Sequence, residues 1–121
     1  MSIVRVLIAD DSEAFRGALH ELVEATPGFI LVGEADSGEA AVSAAATAHP
    51  DLVLIDIRMP GIGGIGAAEQ IVAASPETTV VMITADSGGG RVDQERFAVA
   101  DKRSLAPMRL IELWDSARPR S

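Results

Sequence analysis

The sequence predicts an α/β fold: a three-layer sandwich whose parallel five-stranded sheet carries helices on both faces. Short apolar runs rich in β-branched residues alternate five times with segments of helical periodicity, which is the pattern of strands joined by crossover helices. The runs at residues 3–9 and 52–55 are nearly continuous in apolar character, as expected of strands buried on both faces. Four of the five runs end at polar side chains, and right-handed crossovers bring these strand ends to one edge of the sheet.

The first half of the chain contains three predicted strands and two predicted helices. The strands cover residues 3–9, 29–35 and 52–56, and the helices run from about residue 12 to 25 and from 37 to 49. Ser12 or Asp11 caps the first helix and Ser37 the second, because a side-chain oxygen at that position accepts a free backbone N–H. The first helix ends before Pro27 and the second before Pro50.

The second half of the chain is richer in glycine and less regular. We predict a loop at residues 61–66, a helix at 67–74, strands at 79–83 and 97–100, a loop at 101–104, a last helix that begins near Pro107, and a frayed tail at 117–121. Residues 87–96 include three consecutive glycines, so we predict that this segment, with at most two helical turns, is the most mobile of the chain.

Composition limits the classes of function. The chain has 121 residues, of which 48% are apolar, and this suits one domain that spans residues 1–121. The net charge of −8 argues against direct contact with nucleic acid, and the absence of cysteine excludes disulfides and thiolate metal sites. No apolar run approaches the ~20 residues of a membrane span and the N-terminus does not have the pattern of a signal peptide, so we expect a cytoplasmic protein without membrane contact.

The stretch from Asp51 to Gly61 carries the strongest functional signal. Four apolar residues end abruptly at Asp56, and a Met-Pro-Gly sequence three residues later prevents the strand from continuing. Ligands of open α/β sheets bind outside the carboxyl ends of the strands. Asp56 is therefore expected at a site of chemistry, although a role as a simple turn cap is the plainer alternative.

Other strand ends place further polar residues beside Asp56. Asp10 and Asp11 follow the first strand, Thr84 the fourth and Lys102 the fifth. Carboxylates brought together need a counter-charge, and hard oxygen ligands favour Mg²⁺. A hydroxyl and an ammonium are suitable donors to phosphoryl oxygens, so the set matches what phosphoryl transfer requires. Taken alone, the two acids would serve equally well as a helix cap, and Lys102 as a surface charge whose register is ambiguous beside Arg103.

As a set, these residues resemble the receiver domain of two-component response regulators, most closely the receivers that precede LuxR-type DNA-binding domains. The resemblance covers about residues 3–113 and implies a flavodoxin-like (βα)5 fold with strand order 2-1-3-4-5. The matching segments are Val6-Leu-Ile-Ala-Asp-Asp-Ser12, Val32-Gly-Glu-Ala35, Pro50-Asp51, Asp56-Ile-Arg-Met-Pro-Gly61, Thr84-Ala85 and Lys102.

The resemblance also implies a role for each site residue. Asp56 accepts a phosphoryl group from a histidine kinase, and the modification switches contacts with an output protein. The implied Mg²⁺ ligands are Asp10, Asp11, Asp56 and the backbone carbonyl of Arg58. Thr84 and Lys102 bind phosphoryl oxygens and report phosphorylation to the fold. Such a protein is a phosphoacceptor with slow self-dephosphorylation at most, and is not otherwise an enzyme.

The sequence departs from the family pattern in three places. The loop after Pro60 reads Gly-Ile-Gly-Gly and lacks the acid that the family carries before the final glycine. About four residues are missing between Thr84 and Lys102, so we expect the family's fourth helix to be shortened. The family's switch aromatic, three positions before the lysine, is here Val99, and the nearest aromatic is Phe97.

Two other functions stay open at this point. The departures are compatible with a receiver-like scaffold that phosphate does not control. A phosphatase with an aspartyl-phosphate intermediate is disfavoured, because such enzymes carry a second acid two residues after the nucleophile, where this chain has Arg58.

Further expectations concern partners and the mouth of the site. We expect an ion pair between Arg58 and Asp86, each two residues beyond a site residue, that slows hydrolysis of the phosphate. We expect partner binding or homodimerisation through the first or last helix. The sequence does not decide between a stand-alone regulator and a fragment of a DNA-binding one.

Overall fold

The computed structural model describes residues 3–85 and 96–118, which form a five-stranded parallel sheet with helices on both faces. The elements in chain order are β1 Val4–Ala9, α1 Glu13–Ala25, β2 Phe29–Ala35, α2 Gly38–Ala48, β3 Leu52–Asp56, α3 Gly63–Ala74, β4 Thr79–Thr84, β5 Ala98–Asp101, a 3₁₀ turn Lys102–Ser104 and α4 Pro107–Ala117. The strand order is β2-β1-β3-β4-β5, and every neighbouring pair is parallel. The predicted flavodoxin-like fold is confirmed.

The sheet separates two aliphatic layers of the core. Side chains alternate along β3, so that Val53 and Ile55 pack with α2 and α3 while Leu52 and Leu54 pack with α1 and α4. All five residues of β3 are buried, as predicted for a strand covered on both faces. Within the described residues, no helix is both long and apolar enough to cross a membrane.

Helix caps fix where the first two helices start. The Ser12 hydroxyl accepts the N–H of Phe15 at 3.2 Å, and the Ser37 hydroxyl accepts the N–H of Ala40 at 3.1 Å. Each cap satisfies a backbone donor that the first turn of a helix leaves free. Since both helices follow strands directly, their first turns lie at the carboxyl edge of the sheet.

The glycine-rich segment after β3 was predicted wrongly. Residues 63–66 were expected to be loop, yet α3 begins at Gly63. The reason is close packing: a Cβ on Gly64 would lie 2.0 Å from the backbone oxygen of Asp56, so only glycine lets the first turn of α3 approach the end of β3. The predicted loop at 101–104 likewise contains a short 3₁₀ turn, and β5 starts one residue later than predicted.

Some predictions fall on residues that the structure does not describe. Three predictions concern residues that lie wholly or almost wholly within 86–95, outside the described part of the chain. They are the shortened helix between β4 and β5, the mobile segment at 87–96, and the role of Asp86. At the C-terminus, α4 extends to Ala117, and residues 119–121 also lie outside. The ion pair expected between Arg58 and Asp86 therefore stays a prediction.

Candidate functional site

Three carboxylates meet at the carboxyl edge of the sheet. Asp10 follows β1 and is fully buried, Asp56 is the last residue of β3 and is 6% exposed, and Asp11 is exposed. One oxygen from each carboxylate lies within 4.8 Å of the others. The strand ends bring these acids together as the sequence predicted, in a position where a single cation would contact all three.

Lys102 points into this acidic cluster. Its Nζ lies 3.0 Å from Oδ2 of Asp10 and 3.6 Å from Oδ2 of Asp56, and its side chain is 17% exposed. The neighbouring Arg103 turns instead to Asp101, with Nη2 2.7 Å from the carboxylate, and this contact lowers the pKa of Asp101 to about 2. The ambiguity between the lysine and the arginine is thereby resolved in favour of Lys102.

An aromatic ring also holds Lys102, and the sequence analysis missed it. The Nζ of Lys102 lies 4.1 Å from the ring centroid of Phe15, within the range of a cation–π contact. Phe15 is the third residue after the cap Ser12, so it sits in the first turn of α1 at the carboxyl edge of the sheet. The sequence signal for this contact was the position of Phe15 in the first turn of the helix that directly follows Asp10 and Asp11. The ring and the two carboxylates together fix the ammonium above the site.

The environment of Asp56 raises the pKa of its carboxyl above the usual value of an aspartate. Burial raises the pKa of the Asp56 carboxyl, and the nearby charge of Asp10 raises it further. The Lys102 ammonium and the backbone N–H of Arg58, which donates to the Asp56 carboxylate, act in the opposite direction. Because burial is the largest cause of the net rise, a cation bound beside Asp56 would favour the charged form of this buried carboxyl.

Two further predicted residues lie at the same edge. Thr84 is the last residue of β4 and is half-buried, next in the chain to Ile83, which pairs in register with Asp56. Arg58 follows β3 with an exposed side chain, while its N–H donates to the Asp56 carboxylate. Thr84 therefore lies at the same sheet edge as Asp56, and the backbone of Arg58 contacts the Asp56 carboxylate.

The chemistry of the cluster fits a divalent cation such as Mg²⁺. Among the described residues, Oδ2 of the buried Asp10 accepts no well-directed hydrogen bond, although Lys102 Nζ is 3.0 Å away as an ion-pair partner. The other oxygen of Asp10 accepts the N–H of Ser12 at 2.8 Å. A buried carboxylate oxygen left in this state, beside two other carboxylates, is suited to ligate a hard cation.

The residues expected at the aromatic switch lie apart from the site. Val99 is half-buried in β5, in register with Met82, and packs on the layer formed with α2 and α3. Phe97 is 4% exposed and precedes β5, so it belongs to the amino end of the strand, at the opposite edge of the sheet from Thr84. Phe97 therefore does not take the place of the missing switch aromatic.

The fold and the acidic site are those expected of a receiver domain, and comparison with known proteins gives the same class. Residues 6–98 match the family described as the response regulator receiver domain, and the chain belongs to this family. It is 38% identical over 82 residues to response regulator GacA of Pseudomonas viridiflava, an alignment that covers 68% of this chain and 38% of GacA. The chain thus spans less than half the length of this relative.

Solved structures of other proteins resemble this chain over nearly its whole length. The response regulator domain of Thermotoga maritima CheB is 28% identical with a TM-score of 0.80, over 97% of this chain and 99% of that one. A two-component response regulator of the LuxR family from Aurantimonas sp. SI85-9A1 is 26% identical with a TM-score of 0.82, over 99% of this chain and 91% of that one. The resemblance to receivers of LuxR-type regulators is confirmed.

Mg²⁺ should raise the melting temperature of the protein. A cation that binds only the folded state adds about 1.4 kcal/mol of stability when its free concentration is about ten times its dissociation constant. Asp11→Asn should weaken this response, because it removes one carboxylate from an exposed position. The matched control is Glu13→Gln, two residues further on, which should respond like the parent. A melting temperature insensitive to millimolar Mg²⁺ would contradict a cation site here.

Proposed function

We propose that Asp56 accepts a phosphoryl group from a phosphohistidine of a histidine kinase, with Mg²⁺ as cofactor, and that this modification switches a protein–protein interaction. The observation that supports the proposal most is the position of Asp56. Its carboxylate ends a buried strand, beside two further acids and 3.6 Å from the Lys102 ammonium. Because the chain belongs to the receiver family, we interpret this arrangement as a phosphoacceptor site.

The proposed chemistry is a transfer between two protein side chains. An oxygen of the Asp56 carboxylate attacks phosphorus, the P–N bond to the histidine breaks, and the imidazole leaves with the electron pair and is protonated. Lys102 and Thr84 donate to the phosphoryl oxygens on the product side. The proposed Mg²⁺ ligands are Asp10, Asp11, Asp56 and the backbone carbonyl of Arg58. Mg²⁺, when bound, would neutralise negative charge on the phosphoryl oxygens.

The partners follow from the same proposal. A histidine kinase supplies the phosphoryl group in the cytoplasm, and an output protein, bound through the first or last helix, reads the modification. A second copy of this chain is a further candidate for that surface. The net charge of −8 disfavours nucleic acid as a direct partner of residues 1–121, which we treat as one receiver domain.

A second candidate function, a receiver-like scaffold, is favoured by one observation. Val99 occupies the position of the switch aromatic, and Phe97 lies at the opposite edge of the sheet. In a scaffold the site would not control the output surface. An aspartyl-phosphate phosphatase is less favoured, because Arg58 stands where such an enzyme carries its general acid.

Treatment with acetyl phosphate separates these functions. The parent and Asp56→Asn are incubated with acetyl phosphate and either Mg²⁺ or EDTA, and the intact masses are measured. We expect one phosphoryl adduct in the parent with Mg²⁺, and loss of that adduct in Asp56→Asn, because the amide lacks the charged nucleophile. An equal adduct in the variant would refute the assignment of Asp56. Absence of any adduct would favour the scaffold, and release of phosphate with repeated turnover would favour the phosphatase.

A further inference from the structure

A carboxylate from α2 reaches the loop that follows the phosphoacceptor strand. Oε1 of Glu39, in the first turn of α2, accepts the backbone N–H of Ile62 at 3.3 Å. The contact joins residues that are 23 positions apart in the sequence. Between Asp56 and Glu69 the sequence contains no acidic residue, so the loop does not supply a carboxylate of its own.

The tip of the loop is closely fitted to Glu39. A Cβ on Gly61 would lie 2.0 Å from Oε1 of Glu39 and 2.5 Å from Oε2, and Gly61 has a φ of +74°, which favours glycine. A Cβ on Gly38, the residue before Glu39, would lie 2.7 Å from the backbone oxygen of Gly63. The loop tip therefore rests directly on the start of α2, and Glu39 provides the hydrogen bond at this contact.

The loop is also fixed at its base. The N–H of Ile57 donates to the carbonyl of Ile83 at the end of β4, at 3.0 Å, and the N–H of Gly64 donates to the carbonyl of Ile57 at 3.2 Å. Arg58 is the next residue, and only Met59 and Pro60 separate it from Gly61. Because the ring of Pro60 fixes one backbone torsion, a constraint on the tip is transmitted over this short distance to Arg58.

We propose that Glu39 is a positioning residue for the acidic site: by holding the tip of the 57–62 loop, it fixes the backbone of Arg58 for the cation. The inference rests on the proposed function, in which the Arg58 carbonyl is a Mg²⁺ ligand. Glu39 acts here through a hydrogen bond, and its charge is not required. The geometry of the loop, and with it the affinity for Mg²⁺, depends on an acceptor at this position.

The test measures binding of Mg²⁺ alone by calorimetry, for the parent, Glu39→Ala and Glu39→Gln. We expect the alanine variant to bind Mg²⁺ roughly fivefold more weakly or worse, the size of one lost hydrogen bond. Glutamine keeps an acceptor oxygen at the same reach, so Glu39→Gln should bind within about twofold of the parent. The control is Glu77→Ala, an exposed acid in the turn between α3 and β4, which should bind like the parent.

Two further readouts separate positioning from other effects. In EDTA, hydrogen exchange of the Ile62 amide should be faster in Glu39→Ala, while the melting temperature stays close to the parent's. Adduct formation with acetyl phosphate should be slower in Glu39→Ala at low Mg²⁺ and recover at saturating Mg²⁺.

The possible outcomes distinguish the inference from the proposed function. Parent-like Mg²⁺ affinity in Glu39→Ala would overturn the inference. Equal weakening in Glu39→Gln would also overturn it, because the effect would then come from charge. If the parent binds Mg²⁺ but forms no adduct, the proposed function fails, while the binding experiment still decides the role of Glu39.

Discussion

Replacing Gly64 by alanine is expected to lower the free energy of unfolding by about 2–3 kcal/mol. The new Cβ would lie 2.0 Å from the carbonyl oxygen of Asp56 and 2.9 Å from the Cα of Ile57. Both atoms belong to the backbone, so β3 and α3 must move apart to admit it. The shift moves Asp56, the proposed phosphoacceptor, and we therefore expect slower adduct formation with acetyl phosphate as well as a lower urea midpoint.

Gly66 provides the matched control two residues later in α3. A Cβ there would lie 3.4 Å from the nearest atom, Cβ of Ile62, which is an ordinary contact. Gly66→Ala should therefore stabilise the protein by about 0.5–1 kcal/mol, because alanine is the better helix former. Equal stability of the Gly64 and Gly66 variants would show that the first turn of α3 does not pack on Asp56 as described.

Replacing Lys102 by methionine is expected to give the second large effect. The variant leaves the buried carboxylate of Asp10 without the ammonium that lies 3.0 Å away, and breaking such a pair costs about 3 kcal/mol without metal. The pKa of Asp56, which Lys102 holds down, should rise further. Mg²⁺ should then stabilise the variant more than it stabilises the parent, because the cation no longer competes with Lys102 for the same oxygens.

The adjacent cation is the control for this experiment. Arg103 pairs with Asp101, with Nη2 2.7 Å from its carboxylate, and is exposed. Arg103→Met removes the same charge from the same turn, but an exposed pair contributes about 1 kcal/mol or less. Urea unfolding of both variants, with and without Mg²⁺, provides the comparison. A Lys102→Met protein as stable as Arg103→Met in EDTA would contradict the role given to Lys102.

Most of the fold, and the acids of the site, follow from local sequence patterns. β3 has the predicted bounds because its apolar run starts after Asp51 and stops at Asp56, and β2 because Gly28 precedes it and Asp36 follows it. The site residues were predictable because parallel strands share one carboxyl edge, so a polar residue at each strand end arrives at the same place. This shared edge places Lys102 Nζ 3.0 Å from Asp10 and 3.6 Å from Asp56.

Features that depend on contacts between distant elements were not predictable. The glycines at the start of α3 indicate a loop by propensity, and only the approach of Gly64 to the backbone of Asp56 makes them helical. Two contacts join elements that are far apart in the chain. They are the cation–π contact of Lys102 with Phe15 and the hydrogen bond from the Ile62 N–H to Glu39. Neither contact has a periodic signature, because each depends on where a helix lies against the sheet.

The central claim is that Asp56 is the phosphoacceptor, and chemical mapping of the modified residue tests it most directly. The protein is treated with acetyl phosphate and Mg²⁺, the acyl phosphate is reduced with borohydride, and the peptides are sequenced by mass spectrometry. Reduction converts a phosphorylated aspartate to homoserine and leaves unmodified aspartates unchanged. We expect homoserine at position 56, dependent on Mg²⁺, with Asp10 and Asp11 unchanged. Homoserine at another acid, or at none, would contradict the account.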